Sequence, residues 1–153
     1  MIQVGDVAPT FVGTTADGTI LDLASYRGKP LMLYFYPKAN TTGCTVEARG
    51  FTENYPALQQ AGIAVIGVSV DSVDDQKSFV EKCHIPFPLV ADRDKSVAKQ
   101  YGVLGLLGIA KRVTFFIEPD GRVSEVVEGM LPGPHVRRAT ERAQSALRST
   151  GPS

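Results

Sequence analysis

The chain has 153 residues, 16 Lys+Arg against 16 Asp+Glu, and a formal net charge of zero. That length fits one domain, whose folding buries about two-thirds of the chain's surface without metal or disulfide support. A composition 43% hydrophobic and 21% charged is wrong for a disordered chain, and the charge balance leaves no basic excess for nucleic acid or an anionic membrane.

The start, Met1–Asp6, lacks the basic and apolar regions of an export signal. The longest apolar stretches, around Leu31–Tyr36 and Val103–Ala110, are too short to span a bilayer. The expectation is a cytoplasmic protein in a reducing compartment. There the only two cysteines, Cys44 and Cys83, are reactive or buried rather than cross-linked.

In chain order, Thr10–Leu23 carries Asp17-Gly18 between short alternating runs and predicts a hairpin. Leu31–Tyr36 is a nearly continuous apolar run stopped by Pro37, and Ile63–Val70 is another. Such runs suit strands covered on both faces. Between them, Cys44–Ala61 has helical spacing, with Val46, Phe51, Tyr55 and Leu58 on a predicted buried stripe and Gly62 as the stop. This is a βαβ unit, with parallel strands expected. Ser72 and Asp75 predict a capping box that opens a helix through about Cys83. Phe87–Ala91 reads as a short strand and Lys95–Tyr101 as a short helix ended by Gly102. Val113–Ile117 and Arg122–Val127 flank Pro119-Asp120-Gly121 and predict an antiparallel hairpin. Pro134 suits the first turn of a last helix reaching about Arg148, with 149–153 as a short tail. The whole predicts a single α/β domain over 1–148: a three-layer sandwich on a mixed sheet flanked by helices, in the thioredoxin-like arrangement.

The segment from Pro37 to Cys44 joins the end of a central strand to the start of a helix, where ligands gather in open α/β sheets. A cysteine in a first helical turn faces unpaired backbone N–H groups and the positive end of the helix dipole. These favour thiolate over thiol and can lower a cysteine pKa from about 8.5 into a range of roughly 3.5–7.5. Thr41 can place a hydroxyl beside the sulfur, and Pro37 restricts the turn. From these residues alone, a buried cysteine in an ordinary strand-to-helix loop is the commoner alternative. Thr41 reads equally as a helix cap, and Arg112 as a surface arginine of the Lys111-Arg112 pair. His84 and His135 have no partner at metal-ligand spacing and read as satisfied core or surface histidines.

The spacing Pro37-x-x-x-Thr41-x-x-Cys44 resembles the active-site signature of the peroxiredoxins. The flanking text resembles their Q-type, bacterioferritin-comigratory-protein-like group. It does so in Tyr34–Pro37, Gly67–Ser72, Pro86–Asp92, Tyr101–Val103 and Arg112–Ile117, in the family's order from about Gly5 to Val127. The resemblance implies a thiol-dependent peroxidase for hydrogen peroxide and organic hydroperoxides, serving antioxidant defence. Cys44 would be the peroxidatic nucleophile that becomes a sulfenic acid. Thr41 would bond sulfur and peroxide, Pro37 would shield the sulfenic acid, and Arg112 would stabilise the thiolate and the departing oxygen. Glu47, one turn after Cys44, would be a supporting polar partner. No metal, flavin or haem is implied; the reductant would be thioredoxin or another thiol, and the assembly a monomer or weak dimer.

Many Q-type members carry a resolving cysteine five positions after the first, where this chain has Arg49. Cys83, at the expected end of the next helix, is the candidate substitute; its alternative is a small, inert buried residue. With Cys83 resolving, Cys44 sulfenic acid would condense to an intramolecular disulfide; without it, an external thiol would attack. A thiol–disulfide oxidoreductase is disfavoured because Cys44-Thr45-Val46-Glu47 lacks a second thiol. A cysteine hydrolase is disfavoured because no histidine lies near Cys44 in sequence. A non-catalytic sensor relaying Cys44 oxidation to a partner protein remains the rival. The apolar, glycine-broken segment Gly102–Lys111 lacks the Gly-Lys-Ser/Thr ending of a phosphate loop. It is expected to pack, ahead of bordering the peroxide entrance or contacting a protein.

Overall fold

The computed structural model describes residues 1–150, with side chains to Arg148. The chain opens with the expected hairpin, β1 (Val12–Thr15) and β2 (Ile20–Asp22), followed by a 3-10 turn at Leu23–Tyr26. The βαβ unit comes next as β3 (Leu31–Phe35), α1 (Thr42–Gln60) and β4 (Ala64–Ser69). Then follow α2 (Val73–Cys83), β5 (Leu89–Ala91), α3 (Ser96–Tyr101), β6 (Val113–Ile117), β7 (Val123–Glu128) and α4 (Pro132–Thr150). The strands form one seven-stranded sheet in the order β2-β1-β5-β4-β3-β6-β7. β3 and β4 pair in parallel from Leu31↔Ala64 to Phe35↔Val68, and β5 extends the parallel part beside β4. β6 runs antiparallel to β3, bringing Val113 opposite Phe35 and Arg112 to the end of the sheet where α1 begins.

Alternation along the strands feeds two apolar layers. Leu31, Leu33, Phe35, Ile66, Val68 and Phe115 pack with Leu23 of the 3-10 turn and Tyr101 of α3. Met32, Tyr34, Tyr36, Val65 and Phe116 pack with Phe51 of α1, Phe79 of α2, and Ala139 and Ala143 of α4. Two-sided cover explains why the central strands contain no polar alternation.

Several predicted details shift. α1 begins at Thr42, and its buried side is Cys44, Glu47, Ala48, Phe51 and Leu58. Val46 is 52% exposed: at helical pitch it falls on the side opposite Cys44, and its apolar character did not decide its placement. α4 begins at Pro132, where the missing N–H removes a donor that has no helical partner anyway. Pro134 still lies within the first turn. The helix backbone runs to Thr150, past the expected stop at Arg148, and 151–153 lie outside the described residues. Ser72 caps α2, its hydroxyl accepting from Asp75 N at 3.1 Å.

The expectation that Gly102–Lys111 packs holds only at its ends. Val103 and Ala110 are buried, but Leu106 and Leu107 are 107% and 88% exposed. The Gly105 N–H donates to the Ile109 carbonyl at 2.7 Å, so the turn closes on itself and carries its tip into solvent. Among the described residues, no helix is long and apolar enough to cross a membrane.

Phe51 is fully buried and meets the Tyr34 ring edge-on at a centroid distance of 4.6 Å. Phe51→Ala is expected to destabilise the fold by about 3–5 kcal/mol, read as a lower denaturant midpoint with an unchanged m-value.

Candidate active site

The loop between β3 and α1 is held by polar bonds to the neighbouring parallel strand. Tyr36 N–H donates to the Val68 carbonyl at 3.1 Å, and Ala39 N–H donates to Asp71 Oδ2 at 2.8 Å. Asp71 is oriented in turn by the Ser69 hydroxyl, which donates to the same carboxylate oxygen at 2.6 Å. Gln76, fully buried on α2, donates to Ser69 Oγ at 2.8 Å and to the Val90 carbonyl at 3.0 Å, and accepts from the Tyr36 hydroxyl. This chain of satisfied bonds, with the buried Tyr36 and Ala39, holds the Pro37–Thr41 loop. Asn40, at φ 64°, makes the turn into the helix.

Cys44 is the third residue of α1 and only 2% exposed. Arg112, immediately before β6, points Nη2 at its sulfur over 3.4 Å. Gly43 leaves room for this approach: a Cβ there would lie 3.0 Å from the same nitrogen and would push the guanidinium back by a few tenths of an ångström. Arg112 is itself 4% exposed. Its Nη1 donates to Glu47 Oε1 at 2.5 Å and its Nε to the Met130 carbonyl at 2.8 Å. Three different residues therefore receive the three nitrogens of one guanidinium. Burial disfavours the charge of Arg112, but Glu47 and Cys44 outweigh it and hold the pKa above the usual range. Burial pushes the Glu47 carboxyl up to about 7, against the downward pull of Arg112.

Thr41 occupies the N-cap position with extended backbone, but its side chain does not cap. Its hydroxyl donates to the Lys38 carbonyl at 2.8 Å, which commits the hydrogen and leaves the oxygen lone pairs as acceptors. Pro37 is buried. Arg112 is thus buried against Cys44 rather than on the surface, and Glu47 faces the core. Cys83 ends α2, half-buried against the apolar layer that also contains Cys44, and both cysteines are free thiols. His84 is the exposed, left-handed C-cap of α2. His135 is a satisfied core histidine with bonds to Thr114 and Gly129.

The sequence reading did not find Asp71, Gln76 or the Met130 carbonyl. Gln76 carries a signal that could have exposed it, since it lies three residues before Phe79 on the buried side of α2. Met130 carries none, because it contributes a backbone oxygen.

The Glu47 proton is bound more tightly in the folded protein, at about pH 7, than at the ordinary carboxylate value of 4.5. The stability this group contributes is therefore full below the lower value and is lost as pH rises through the higher one. Denaturant midpoints of the parent are expected to fall between pH 4.5 and about 7 by a component that Glu47→Gln lacks. Parallel pH profiles for the two proteins would contradict this.

Comparison with known proteins gives the arrangement its lineage. Residues 4–126 match the AhpC/TSA family. A Coxiella burnetii relative bearing the name putative peroxiredoxin bcp is 40% identical over 149 residues, covering 92% of this chain and 98% of that one. The crystal structure of peroxidoxin BcpB from Mycobacterium tuberculosis superposes with a TM-score of 0.85 at 31% identity, covering 99% of this chain and 100% of that one. The crystal structure of a cysteine-to-serine mutant of Xylella fastidiosa PrxQ gives a TM-score of 0.87 at 29% identity, covering 95% of this chain and 97% of that one. The chain belongs to the AhpC/TSA family and, within it, is a peroxiredoxin of the Bcp, or Q, type.

Proposed function

We propose that Cys44 is the nucleophile of a thiol-dependent peroxidase acting on hydrogen peroxide and small organic hydroperoxides. The observation that carries this reading is the Arg112 Nη2 to Cys44 Sγ contact of 3.4 Å in the first turn of α1. A guanidinium and a helix N-terminus together favour the ionised sulfur. The thiolate attacks one oxygen of the hydroperoxide; an S–O bond forms, the O–O bond breaks, and the alcohol or water leaves after taking a proton. Cys44 is oxidised to a sulfenic acid as the peroxide is reduced. Thr41, its own hydrogen donated to Lys38, offers lone pairs to the peroxide O–H and helps align it with the sulfur. Arg112 stabilises charge as it moves onto the departing oxygen. Pro37 walls the sulfenic acid from further oxidation, and Glu47 acts by holding Arg112.

The reductant of the sulfenic acid is a thiol. Cys83 resolves it in a two-cysteine cycle, with thioredoxin or a similar protein reducing the disulfide, or an external thiol attacks directly in a one-cysteine cycle. The partly buried helix-end position of Cys83 suits a cycle in which the end of α2 opens. This chemistry suits the reducing cytoplasm, the resemblance to Q-type peroxiredoxins supports a monomer or weak dimer, and the zero net charge supports engagement with neither nucleic acid nor membrane.

The test is the intact mass of reduced protein after one equivalent of hydrogen peroxide, with Cys44→Ser and Cys83→Ser alongside. The parent should lose about two mass units if Cys83 resolves; a gain of about sixteen units in parent and Cys83→Ser alike marks the one-cysteine cycle. Cys44→Ser should not react, and Arg112→Met should react on the order of a hundredfold more slowly than the parent. A parent inert to peroxide would overturn the peroxidase reading. A parent that reacts once but fails to cycle with thioredoxin or dithiothreitol would favour the sensor instead.

A further inference from the structure

After β7 the chain runs through Gly129, Met130 and Leu131, all exposed, so no buried side chain of its own anchors this strap. Its backbone nevertheless supplies the Met130 carbonyl that accepts from Arg112 Nε at 2.8 Å. Two further bonds hold it. Gly129 N–H donates to the Arg112 carbonyl at 3.3 Å, and the Gly129 carbonyl lies 2.8 Å from Nε2 of His135. Gly129 has φ 133°, a conformation that side chains rarely adopt.

His135, near the start of α4, is fully buried. A carbonyl can only accept, so Nε2 carries the hydrogen; in the neutral ring Nδ1 is then an acceptor, matched by the Thr114 hydroxyl at 2.8 Å. Burial lowers the imidazole pKa; the bond to the Gly129 carbonyl opposes this and nearby Arg112 adds to it, so the ring stays neutral at neutral pH. Thr114 is two residues from Arg112 on the same chain segment. His135 thus joins α4, β6 and the strap at one point, its Nδ1 3.9 Å from the buried Oε2 of Glu47.

We propose that His135 is a positioning residue for the peroxidase reaction: by holding Gly129 it sets the Met130 carbonyl that aims Arg112 at Cys44. The inference rests on the peroxidase reading of Cys44. His135 touches neither sulfur nor peroxide, and its effect passes through Arg112 alone.

Three substitutions test this. His135→Leu removes both ring bonds. His135→Gln keeps an N–H donor for the Gly129 carbonyl. Gly129→Ala strains the strap without altering the core, and remains informative if His135→Leu fails to fold. Each is measured alone and in an Arg112→Met background, for the rate constant with hydrogen peroxide, for Cys44 ionisation by thiolate absorbance, and for Tm. His135→Leu and Gly129→Ala should slow the reaction on the order of tenfold to a hundredfold and raise the thiol titration midpoint, and His135→Gln should recover most of both. With Arg112→Met present, neither should slow the reaction further, although His135→Leu should still lower Tm. Equal losses in both backgrounds, or a lowered Tm with unchanged rate and thiol midpoint, would overturn the proposal. A parent inert to peroxide would overturn the peroxidase reading separately, and the thiol titrations would still show whether His135 acts through Arg112.

Discussion

A guanidinium taken out of water must have its N–H groups bonded and its charge answered, and the end of the sheet is organised around meeting that demand for Arg112. Glu47 answers the charge, the Met130 carbonyl takes Nε, and Cys44 receives Nη2. The partners come from two distant parts of the chain: Glu47 and Cys44 from one side of α1, Met130 from the strap after β7. Removing any one leaves a buried polar group without its partner, which is strongly destabilising in a protein interior. The antiparallel pairing of β6 with β3 is what makes the meeting possible, because it brings Arg112 to the end of β3 from which the Cys44 loop departs.

The loop itself is controlled from the other neighbour of β3. Ser69 ends β4, Asp71 follows it, and Gln76 reaches Ser69 from α2. The Cys44 loop therefore has two kinds of support: hydrogen bonds from the β4 side for its backbone, and a charged clamp from the β6 side for the sulfur. This division explains why a strand-to-helix loop with exposed Lys38 and Asn40 can still deliver Cys44 to a defined position.

Local pattern made much of this legible. Continuous apolar runs marked β3 and β4, Pro119-Asp120-Gly121 marked the β6–β7 turn, and Ser72 marked the start of α2, since each signal depends on neighbours in sequence. Assigning Val46 to the buried stripe failed because apolar character was weighed above helical phase, and Glu47 took the inward place beside Ala48. The motif pointed to Cys44, Thr41 and Pro37 as a group. Arg112 joined them by resemblance alone, since nothing near Lys111-Arg112 distinguishes a buried arginine from an exposed one. Contacts made by backbone atoms, such as the Met130 and Lys38 carbonyls, leave no trace in residue type. The exposed tip at Leu106 and Leu107 was missed for a related reason: its glycines allow a turn that closes on itself.

The arrangement of Arg112 also has a consequence for the energy of the reduced site. Two acidic groups, Cys44 and Glu47, share the single positive charge of Arg112 in a buried region. In the proposed reaction the charge of the attacking sulfur passes to the departing oxygen, which takes a proton as it leaves, so the neutral sulfenic acid makes no such claim on Arg112. Competition between sulfur and carboxylate for one guanidinium is therefore confined to the reduced site.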